Sequence, residues 1–415
     1  MLADVPMVFI LVGITAYTVL SGADFGAGLW TLIPGGGQTD AATTRDHTRH
    51  SIGPVWEANH VWLIFILTVA WTCYPVAFGS IVSTLSIPLF IAAVGIIFRG
   101  TTYAMRSQLE RGEGRGVRLV ENLFALSSVL TPFALATVIG AIATGRVPVG
   151  NARGNLITSW LNPVSILAGV LAVAFSGYLA AVYLAADARR LAERSLVHDF
   201  RIRALASGVA AGALALAGLL VVRAEGAQTR ALWHGLTSGA GLAMVCLCAL
   251  AGVLTMILVW LNRFGLARAS AALAVAAVIA GWAAAQSPRL LPGLTVRQAA
   301  ADPATLTATI IGVAVGAVVL VPSLTLLYTL VLRGRLDTGG SSGGGDPFVS
   351  SRETAAKVTA RPMRPAAAAF AVASLVVGVG LMVFAGPVWA AGVGALLLLA
   401  CAVTVFALAT SPPAG

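Results

Sequence analysis

Long apolar runs dominate this chain, and they limit its possible fold more than any other feature. Each run has roughly 20 residues, which is the length a helix needs to cross the bilayer core of about 30 Å. Strands of an outer-membrane barrel would instead be short, alternating segments. Only 10% of the residues are charged, against about 25% in soluble domains. We therefore predict an all-α polytopic membrane protein. The eleven predicted spans are 6–32, 54–78, 80–105, 119–144, 160–186, 204–222, 238–261, 268–286, 305–332, 366–385 and 388–409.

The basic residues predict the orientation of these spans. Of the 26 Lys and Arg residues, 19 lie in one set of loops, if Arg268 at the adjoining span end is included. Six lie in the opposite set, and Arg99 lies inside a span. Because cytoplasmic loops carry the excess of positive charge, we expect the first set to be cytoplasmic, the N-terminus outside and the C-terminus inside. The first set comprises 33–53, 106–118, 187–203, 262–267 and 333–365, and the second comprises 145–159, 223–237 and 287–304.

The segment 333–365 separates two regions of the chain. It contains a run of Gly and Ser over 339–345, followed by Pro347, Pro362 and Pro365, and such a composition is typical of a flexible linker. We predict a membrane core over 1–332 with nine helices, a cytoplasmic linker over 333–365 and an additional helical hairpin over 366–415. Tight connections are expected near Gly79 and near Gly386.

Neither end-processing nor cysteine chemistry is predicted. The first run starts a few residues after Met1 without a basic segment or a clear cleavage site, so we expect a retained helix. Cys246 and Cys248 are two residues apart and point in different directions on a helix. We interpret them as small buried apolar residues, and we predict no metal site.

Five ionisable residues lie within the predicted spans, and all five belong to the first third of the chain: Asp24, Glu57, His60, Arg99 and Glu121. Charge within the hydrocarbon layer is costly and usually has a function. Asp24 shares a helix face with Ser21, three residues before it. At the cytoplasmic end of its span this carboxylate could take up protons. It could equally cap a neighbouring helix or pair with a loop arginine.

Glu57 and His60 share one face at the start of the second span. Together with Asp24 they form a plausible proton relay, because burial raises the pKa of a carboxyl and histidine titrates near neutrality. Alternatively, Glu57 only complements the helix dipole. Arg99 is expected to pair with Asp24, with Glu57 or with a partner subunit. Glu121 is interpreted as a dipole-complementing residue at the start of the fourth span.

The histidines do not predict a haem site. Membrane-bundle haems usually take axial His or His with Met, and of the five histidines only His60 lies credibly within the membrane. We therefore expect no cofactor bound by ligands of this chain.

Seven segments in order resemble subunit II of the cytochrome bd-type quinol oxidases. They cover the core to about residue 332, and seven ordered segments are a more specific signal than any single motif. The segments are 20–26, 52–63, 98–100 with Arg106, 159–163, 281–282 with 287–288, 294–301 and 322–328.

This resemblance implies two four-helix bundles plus one peripheral helix. It also implies a haem-free subunit whose partner, subunit I, binds two b-type haems and a d-type haem or a third haem b. The complex would oxidise ubiquinol or menaquinol and reduce oxygen to water in the respiratory chain of the bacterial inner membrane. Subunit II would help conduct cytoplasmic protons, and in some members it holds a structural quinone. A small single-helix accessory subunit is a further expected partner.

The resemblance carries over to individual residues. Asp24 matches the second acidic position of the family motif D-G-F-D-x-G. Glu57 occupies the acidic position of W-D-x-N, in which Trp56 and Asn59 match as they stand. The expected proton pathway therefore includes Asp24, Glu57, His60 and Ser21, supported by Trp56, Asn59 and Arg99. Three residues depart from the family pattern and weaken this expectation: Ser21, His60 and Ala104.

Two alternatives remain open from the sequence. The chain could be a purely structural subunit of a diverged bd-like complex, as the departures at Ser21 and Ala104 would allow. It could also be a proton-coupled transporter. Transporters usually break helices at the membrane midplane in both repeats, whereas here the embedded charges lie near one leaflet in one half of the chain. We expect no nucleic-acid partner, since the basic residues lie between apolar spans.

Overall fold

The computed structural model describes most of the first 332 residues and little of the chain after them. The chain divides into two compact units, Met1–Val318 and Val319–Gly415, and the candidate functional site lies in the first. The predicted linker 333–365 and hairpin 366–415, with the turn near Gly386, lie outside the described residues except for six single positions. The described residues are 2–33, 39–40, 43–45, 47–48, 56–109, 115–226 and 229–332. Within them, the side chains are not described for residues 56–58, 103–109, 115–121, 321–322 and 324–332.

Helices form most of the described chain. A 3-10 turn over Leu2–Asp4 precedes them, and a two-stranded antiparallel hairpin interrupts them after the tenth. The elements are α1 Val5–Leu32, α2 Trp56–Cys73, α3 Pro75–Thr84, α4 Ser86–Leu109, α5 Arg115–Ala143, α6 Pro163–Arg190, α7 Arg194–Ala224, α8 Arg230–Thr237, α9 Gly239–Trp260, α10 Phe264–Gln286, β1 Arg289–Leu291, β2 Leu294–Thr295, α11 Val296–Ala299 and α12 Pro303–Leu332.

The helix lengths confirm an all-α polytopic membrane protein. Within the described ranges, seven helices are individually long and apolar enough to cross a membrane, and α3 with α4 makes an eighth if that bent pair counts as one span. A shorter apolar helix runs over Asn59–Cys73. The arrangement of nine core helices as two bundles and a peripheral helix stays a prediction.

The predicted break between the second and third spans is wrong. Gly79 lies inside α3, and the chain turns instead at Tyr74 and at Leu85, where α3 and α4 meet at 83°. Two prolines explain the difference. Pro75 has no N–H and suits the first position of a helix, so it opens α3. Pro88 cannot donate to the carbonyl of Thr84, which removes one hydrogen bond of a continuous helix and favours a break between α3 and α4.

α1 lies between two sets of helices. On one side it packs against α2 and α5, and on the other against α6 and α10. We call α1, α2, α4 and α5 the first helix group, and α6, α7, α9 and α10 the second helix group. The approach of α1 to α6 is very close, because a Cβ atom on Gly26 would lie 1.8 Å from the carbonyl oxygen of Ser176.

The two groups have different interiors. The second group has a continuous apolar core rich in alanine, with Tyr178, Leu184 and Phe200 among its large members. In the first group, the apolar cluster includes Ile10, near the N-terminal end of α1. The C-terminal half of α1 carries the buried polar residues that form the candidate site.

Candidate functional site

One face of α1 supplies the first side of the site. Tyr17, Ser21, Asp24 and Gly28 follow one another at spacings of four, three and four residues, so they lie on the same helix face. All four are buried. A polar row of this kind inside an apolar helix must find partners on the helices that it faces.

Arg99 on α4 is the main partner of this row. Its Nε donates to Asp24 Oδ2 at 2.9 Å, and its Nη2 donates to Asp24 Oδ1 at 2.6 Å. The same Nη2 also donates to the backbone carbonyl of Asp24 at 2.6 Å. Arg99 is fully buried and Asp24 is 2% exposed. Such a two-pronged arrangement suits the planar guanidinium fork, and it fixes both the distance and the angle between the two groups.

The rest of the guanidinium is also enclosed. Its Nη1 donates to Ser128 Oγ on α5 at 2.6 Å. The rings of Phe25 and Phe124 lie 4.9 Å and 4.3 Å from its central carbon. Gly28 provides the space for this contact, since a Cβ atom there would lie 2.0 Å from Ser128 Oγ. Arg99 therefore ties α1, α4 and α5 together at one point.

This ion pair neutralises two charges that would each be costly in the membrane. Removing one partner of a buried pair leaves the other charge uncompensated, which costs about 3–5 kcal/mol. Both carboxylate oxygens of Asp24 are directed at Arg99, so the carboxylate is held rigidly. The arrangement can orient neighbouring polar groups and supply a fixed charge to them.

A second set of polar groups lies beside the ion pair. The ring of His60 on α2 meets the ring of Tyr17 edge-on, with centroids 6.4 Å apart. Asn59, the residue before His60, is fully buried. Tyr17 Oη and Ser21 Oγ lie near each other but form no hydrogen bond of ordinary geometry with a described residue. The same holds for Thr131 Oγ1 and both polar side-chain atoms of Asn59. Since buried polar groups are usually satisfied by protein or water, we expect ordered water along this row.

The structure brings together several of the residues named from the sequence. Asp24 and Arg99 are in direct contact, Ser21 lies one turn away on α1, and His60 reaches the same row through Tyr17. The side chains of Trp56, Glu57, Ala104 and Glu121 lie outside the described residues. The helix carrying Glu121 begins earlier than predicted, at Arg115.

Sequence reasoning missed Ser128, Phe124 and Tyr17. A search for charged groups in apolar spans does not find uncharged ones. Ser128 also donates to the carbonyl of Phe124 at 2.7 Å, which is how a serine commonly satisfies itself within a helix, so its sequence position carries no signal. Tyr17 could have been found, because it lies four residues before Ser21 on the face that was already identified.

The family of the chain follows from comparison with known proteins. A family model described as cytochrome bd terminal oxidase subunit II matches residues 2–331. The chain belongs to this family. The membrane-length helices and the family together make it a multi-pass protein of the bacterial inner membrane.

Individual members of the subunit II family are distant from this chain. Cytochrome bd ubiquinol oxidase subunit 2 of Bacillus subtilis (strain 168) is 27% identical over 167 residues, which is 39% of this chain and 47% of the relative. Cytochrome bd-I ubiquinol oxidase subunit 2 of Escherichia coli (strain K12) is 26% identical over 185 residues, 42% of this chain and 47% of the relative. The matches therefore span about half the length of these relatives.

A solved structure extends the likeness in fold. A chain in the structure of bd oxidase from Geobacillus thermodenitrificans superposes with a TM-score of 0.65 at 22% identity, covering 80% of this chain and 98% of that one. At this identity the likeness concerns the fold alone. Within the described part of this subunit II chain, no three His, Cys, Asp or Glu side chains are grouped as they would be around a metal ion.

Proposed function

We propose that this chain is the haem-free subunit II of a bd-type quinol:oxygen oxidoreductase, and that it assembles with a haem-bearing subunit I. Quinol and oxygen would be the substrates of the complex. The buried Asp24–Arg99 pair with its adjoining polar row supports a role in proton delivery, because buried charge and uncompensated polar atoms occur together there. A small accessory subunit remains part of this proposal.

The contacts of two described histidines, His47 and His60, support the assignment of the haems to another subunit. His47 Nε2 lies 3.2 Å from the carbonyl oxygen of Leu184. A carbonyl can only accept, so this nitrogen carries the proton and cannot ligate iron. The ring of His60 packs against Tyr17. We therefore assign the b-type and d-type haems, or a third haem b, to subunit I and derive no step through them.

In the proposed pathway, the ion pair organises the site and the neighbouring groups exchange protons. Arg99 holds both oxygens of Asp24, so Asp24 acts through its fixed charge. Ser21 and Tyr17 supply hydroxyl groups along α1, and His60 supplies an imidazole ring, whose two nitrogens can accept and donate a proton. Glu57 would connect this row to the cytoplasm, and Asn59 and Trp56 would support it. This direction requires the N-terminus outside and the C-terminus inside, as the distribution of arginine suggests.

A structural quinone is also part of the proposal. An apolar groove between α4 and α5 fits an isoprenoid tail, and its lining includes Phe90, Val94, Phe98, Leu126 and Leu130. Ser127 is the polar side chain in that lining. The groove would therefore bind a tail and contribute little to a headgroup.

The first test is whether the chain purifies with a haem protein. The tagged full chain is isolated in mild detergent with whatever accompanies it. A reduced-minus-oxidised visible spectrum and quinol-dependent oxygen uptake are then recorded. We expect haem bands and oxygen consumption. A colourless chain without activity would contradict the oxidase assignment and favour a diverged, transport-related protein.

The second test separates proton delivery from a structural role. Glu57→Gln and His60→Gln are compared with Asp187→Asn, which changes a carboxylate at the end of α6 in the second helix group. We expect the first two variants to slow oxygen uptake while haem content stays constant, and the third to have no effect on uptake. Normal uptake in both pathway variants would contradict the proposed relay.

A purely structural subunit is the second candidate, and the rigid hold of Arg99 on Asp24 favours it. A structural role predicts that Asp24→Asn reduces haem content and recovery of subunit I in proportion to activity. A role in proton delivery predicts a loss of turnover per haem. Measuring both quantities on the same preparation distinguishes the two.

A further inference from the structure

Two helix turns lie side by side at one end of the second helix group. The turn Leu191–Glu193 joins α6 to α7, and the turn Leu261–Arg263 joins α9 to α10. A hydrogen bond from Arg189, in the last turn of α6, to the carbonyl of Asn262 connects the end of α6 to the second helix turn. The ends of four helices are therefore gathered in one small region.

Arginines cover the helix C-termini in this region. Arg201 Nη2 donates to the carbonyl of Trp260, near the end of α9, at 2.7 Å. Arg268 Nη2 donates to the carbonyl of Tyr183, about two turns before the end of α6, at 2.7 Å, and to Asp187 Oδ1 in its last turn at 2.6 Å. Basic groups at helix C-termini complement the helix dipole. These contacts explain Arg189, Arg201 and Arg268 as structural residues.

The helix N-termini in the same region carry exposed arginines, although the N-cap residue of α7 is the acidic Glu193. Arg194 is the first residue of α7 and Arg263 directly precedes α10. Neither helix has an acidic residue in its first turn or a side-chain cap. Helix N-termini favour anions, so two exposed arginines here add positive charge to an end that is already positive. An anion from outside the chain would satisfy both.

The local carboxylates do not neutralise this charge. Seven arginines lie in 187–203 and 260–268, against three carboxylates. Asp187 pairs with Arg268 at 2.6 Å and with Arg190 at 3.7 Å. Asp199 accepts from the backbone N–H of Thr39 at 2.9 Å, and its charge offsets that of Arg203 in part. Glu193 alone is left beside Arg194 and Arg263, and no ion pair links it to them in the described chain.

An apolar rim surrounds the exposed arginines. Leu191, Leu261, Leu266 and Trp260 are each about 60% exposed or more, and the guanidinium of Arg201 lies 5.1 Å over the ring of Trp260. Exposed apolar side chains next to a cluster of positive charge match a molecule with an anionic head and a hydrocarbon body. Arginine also binds phosphate well, through parallel hydrogen bonds.

We propose that this surface binds the headgroup phosphate of an anionic phospholipid. The turn surface is defined as Arg190, Arg194 and Arg263 with the rim residues Leu191, Trp260, Leu261 and Leu266. The phosphate lies between Arg194 and Arg263 at the two helix N-termini, and the acyl chains follow the exposed leucines. Basic pockets between transmembrane helices are known to suit such headgroups. The lipid would strengthen the junction of the two helix turns.

Titration of the delipidated full chain, with any subunit that purifies with it in mild detergent, tests this proposal. Dioleoyl phosphatidylglycerol and dioleoyl phosphatidylcholine are added separately, and bound lipid is counted by native mass spectrometry while the thermal midpoint is recorded. We expect phosphatidylglycerol to raise the midpoint more than phosphatidylcholine. Equal effects of the two lipids would overturn the proposal.

Variants locate the site. Arg194→Gln with Arg263→Gln removes two exposed charges from the turn surface. Arg153→Gln with Arg230→Gln removes two exposed charges outside it and serves as the matched control. We expect roughly 30-fold weaker binding of phosphatidylglycerol in the first double variant and no change in the control. Equal losses in both, or no loss in either, would overturn the assignment.

Two further experiments are needed. One distinguishes loss of charge from misfolding as the cause of weaker binding, and the other distinguishes a lipid site from a site for free phosphate. Arg194→Lys with Arg263→Lys keeps the charge, so it should retain most of the binding if charge and not folding is responsible. Loss of binding in this variant as complete as in the glutamine variant would contradict the proposal. Glycerol 3-phosphate supplies the headgroup without acyl chains, and stabilisation by it equal to that by the lipid would show a site for a free phosphate instead.

Discussion

The two helix groups place their charges in opposite ways. The first group buries Arg99 and Asp24 completely and encloses them between two phenylalanine rings. The second group places its charges in the first and last few turns of its helices, where Asp199 is buried and the side chains of Arg268 and Asp187 are 20% and 27% exposed. Its interior is an alanine-rich apolar core.

This difference separates two uses of charge in a membrane protein. At a helix end, water and lipid headgroups solvate a charge, so an arginine there costs little and marks the membrane boundary. In the interior, a charge is retained only where a partner holds it, and it usually serves function. The first helix group is therefore the part of the molecule in which a substitution can change chemistry as well as stability.

The largest expected effect comes from breaking the buried pair. Arg99→Leu should lower the free energy of unfolding by about 3–5 kcal/mol, because Asp24 is left as an uncompensated buried charge. The thermal midpoint of the purified protein measures this. Asp24→Leu with Arg99→Leu removes both charges and should recover part of the loss. If the single variant is as stable as the wild type, the pair is not the main tie between α1 and α4.

A smaller effect is expected from closing the space beside the pair. Gly28→Ala places a Cβ atom 2.0 Å from Ser128 Oγ and 3.2 Å from Arg99 Nη1, so overpacking should destabilise the protein by about 1–3 kcal/mol. Gly212 on α7 is the matched control, since a Cβ atom there meets nothing within 4 Å. Gly212→Ala should be neutral, or more stable by up to about 1 kcal/mol. Similar midpoints for both variants would show that the two groups tolerate added volume equally.

The partly exposed pair in the second group should matter less than the buried pair. Arg268→Gln removes an ion pair with Asp187, and pairs of this kind contribute about 1 kcal/mol or less. Thermal unfolding in low and in high salt checks this, because salt screens exposed pairs more than buried ones. A loss as large as that of Arg99→Leu would remove the contrast between the groups.

The smallest effect on stability is expected from removing a single hydroxyl group. Tyr17 Oη and Tyr178 Oη are both buried, and although Ser21 and Thr255 lie beside them, neither forms a hydrogen bond of ordinary geometry with a described residue. Replacing either tyrosine by phenylalanine should therefore change the free energy of unfolding by less than about 1 kcal/mol. Their effects on oxygen uptake should differ, since only Tyr17 belongs to the proposed pathway. Tyr17→Phe should slow uptake and Tyr178→Phe should not. Equal uptake in the two variants would remove Tyr17 from the pathway.

Much of the fold could be predicted from the sequence because apolar length is local information. Helix positions followed from runs of the right length, and for nine of them the structure has a helix in the same region. The predicted break at Gly79 was wrong, because a single glycine is a weaker signal for a turn than the prolines on either side of it. Pro75 and Pro88 had the stronger effect, since each lacks the N–H that a continuing helix needs.

The candidate site could be predicted only in part. Asp24, Ser21, His60 and Arg99 stand out because ionisable or polar residues are rare in apolar spans. The sequence left three possible partners for Arg99, and the folded chain pairs it with Asp24, 75 residues away. Ser128 was not predicted, because a serine that satisfies itself within its own helix resembles any other serine in the sequence.

By itself, the sequence determined the class of protein, the approximate positions of the helices, and which ionisable and polar residues lie within apolar spans. These features depend on the free energy of transferring each segment from water into the hydrocarbon core, and this free energy is largely a property of the segment itself. Only the tertiary structure decided that Asp24 accepts two hydrogen bonds from the Arg99 side chain and that Gly28 leaves room for Ser128. It also decided that arginines lie close together at two helix turns of the second group. Each of these contacts joins segments that are distant in the sequence. They depend on how the side chains of the packed helices fit together, which a local sequence pattern does not predict.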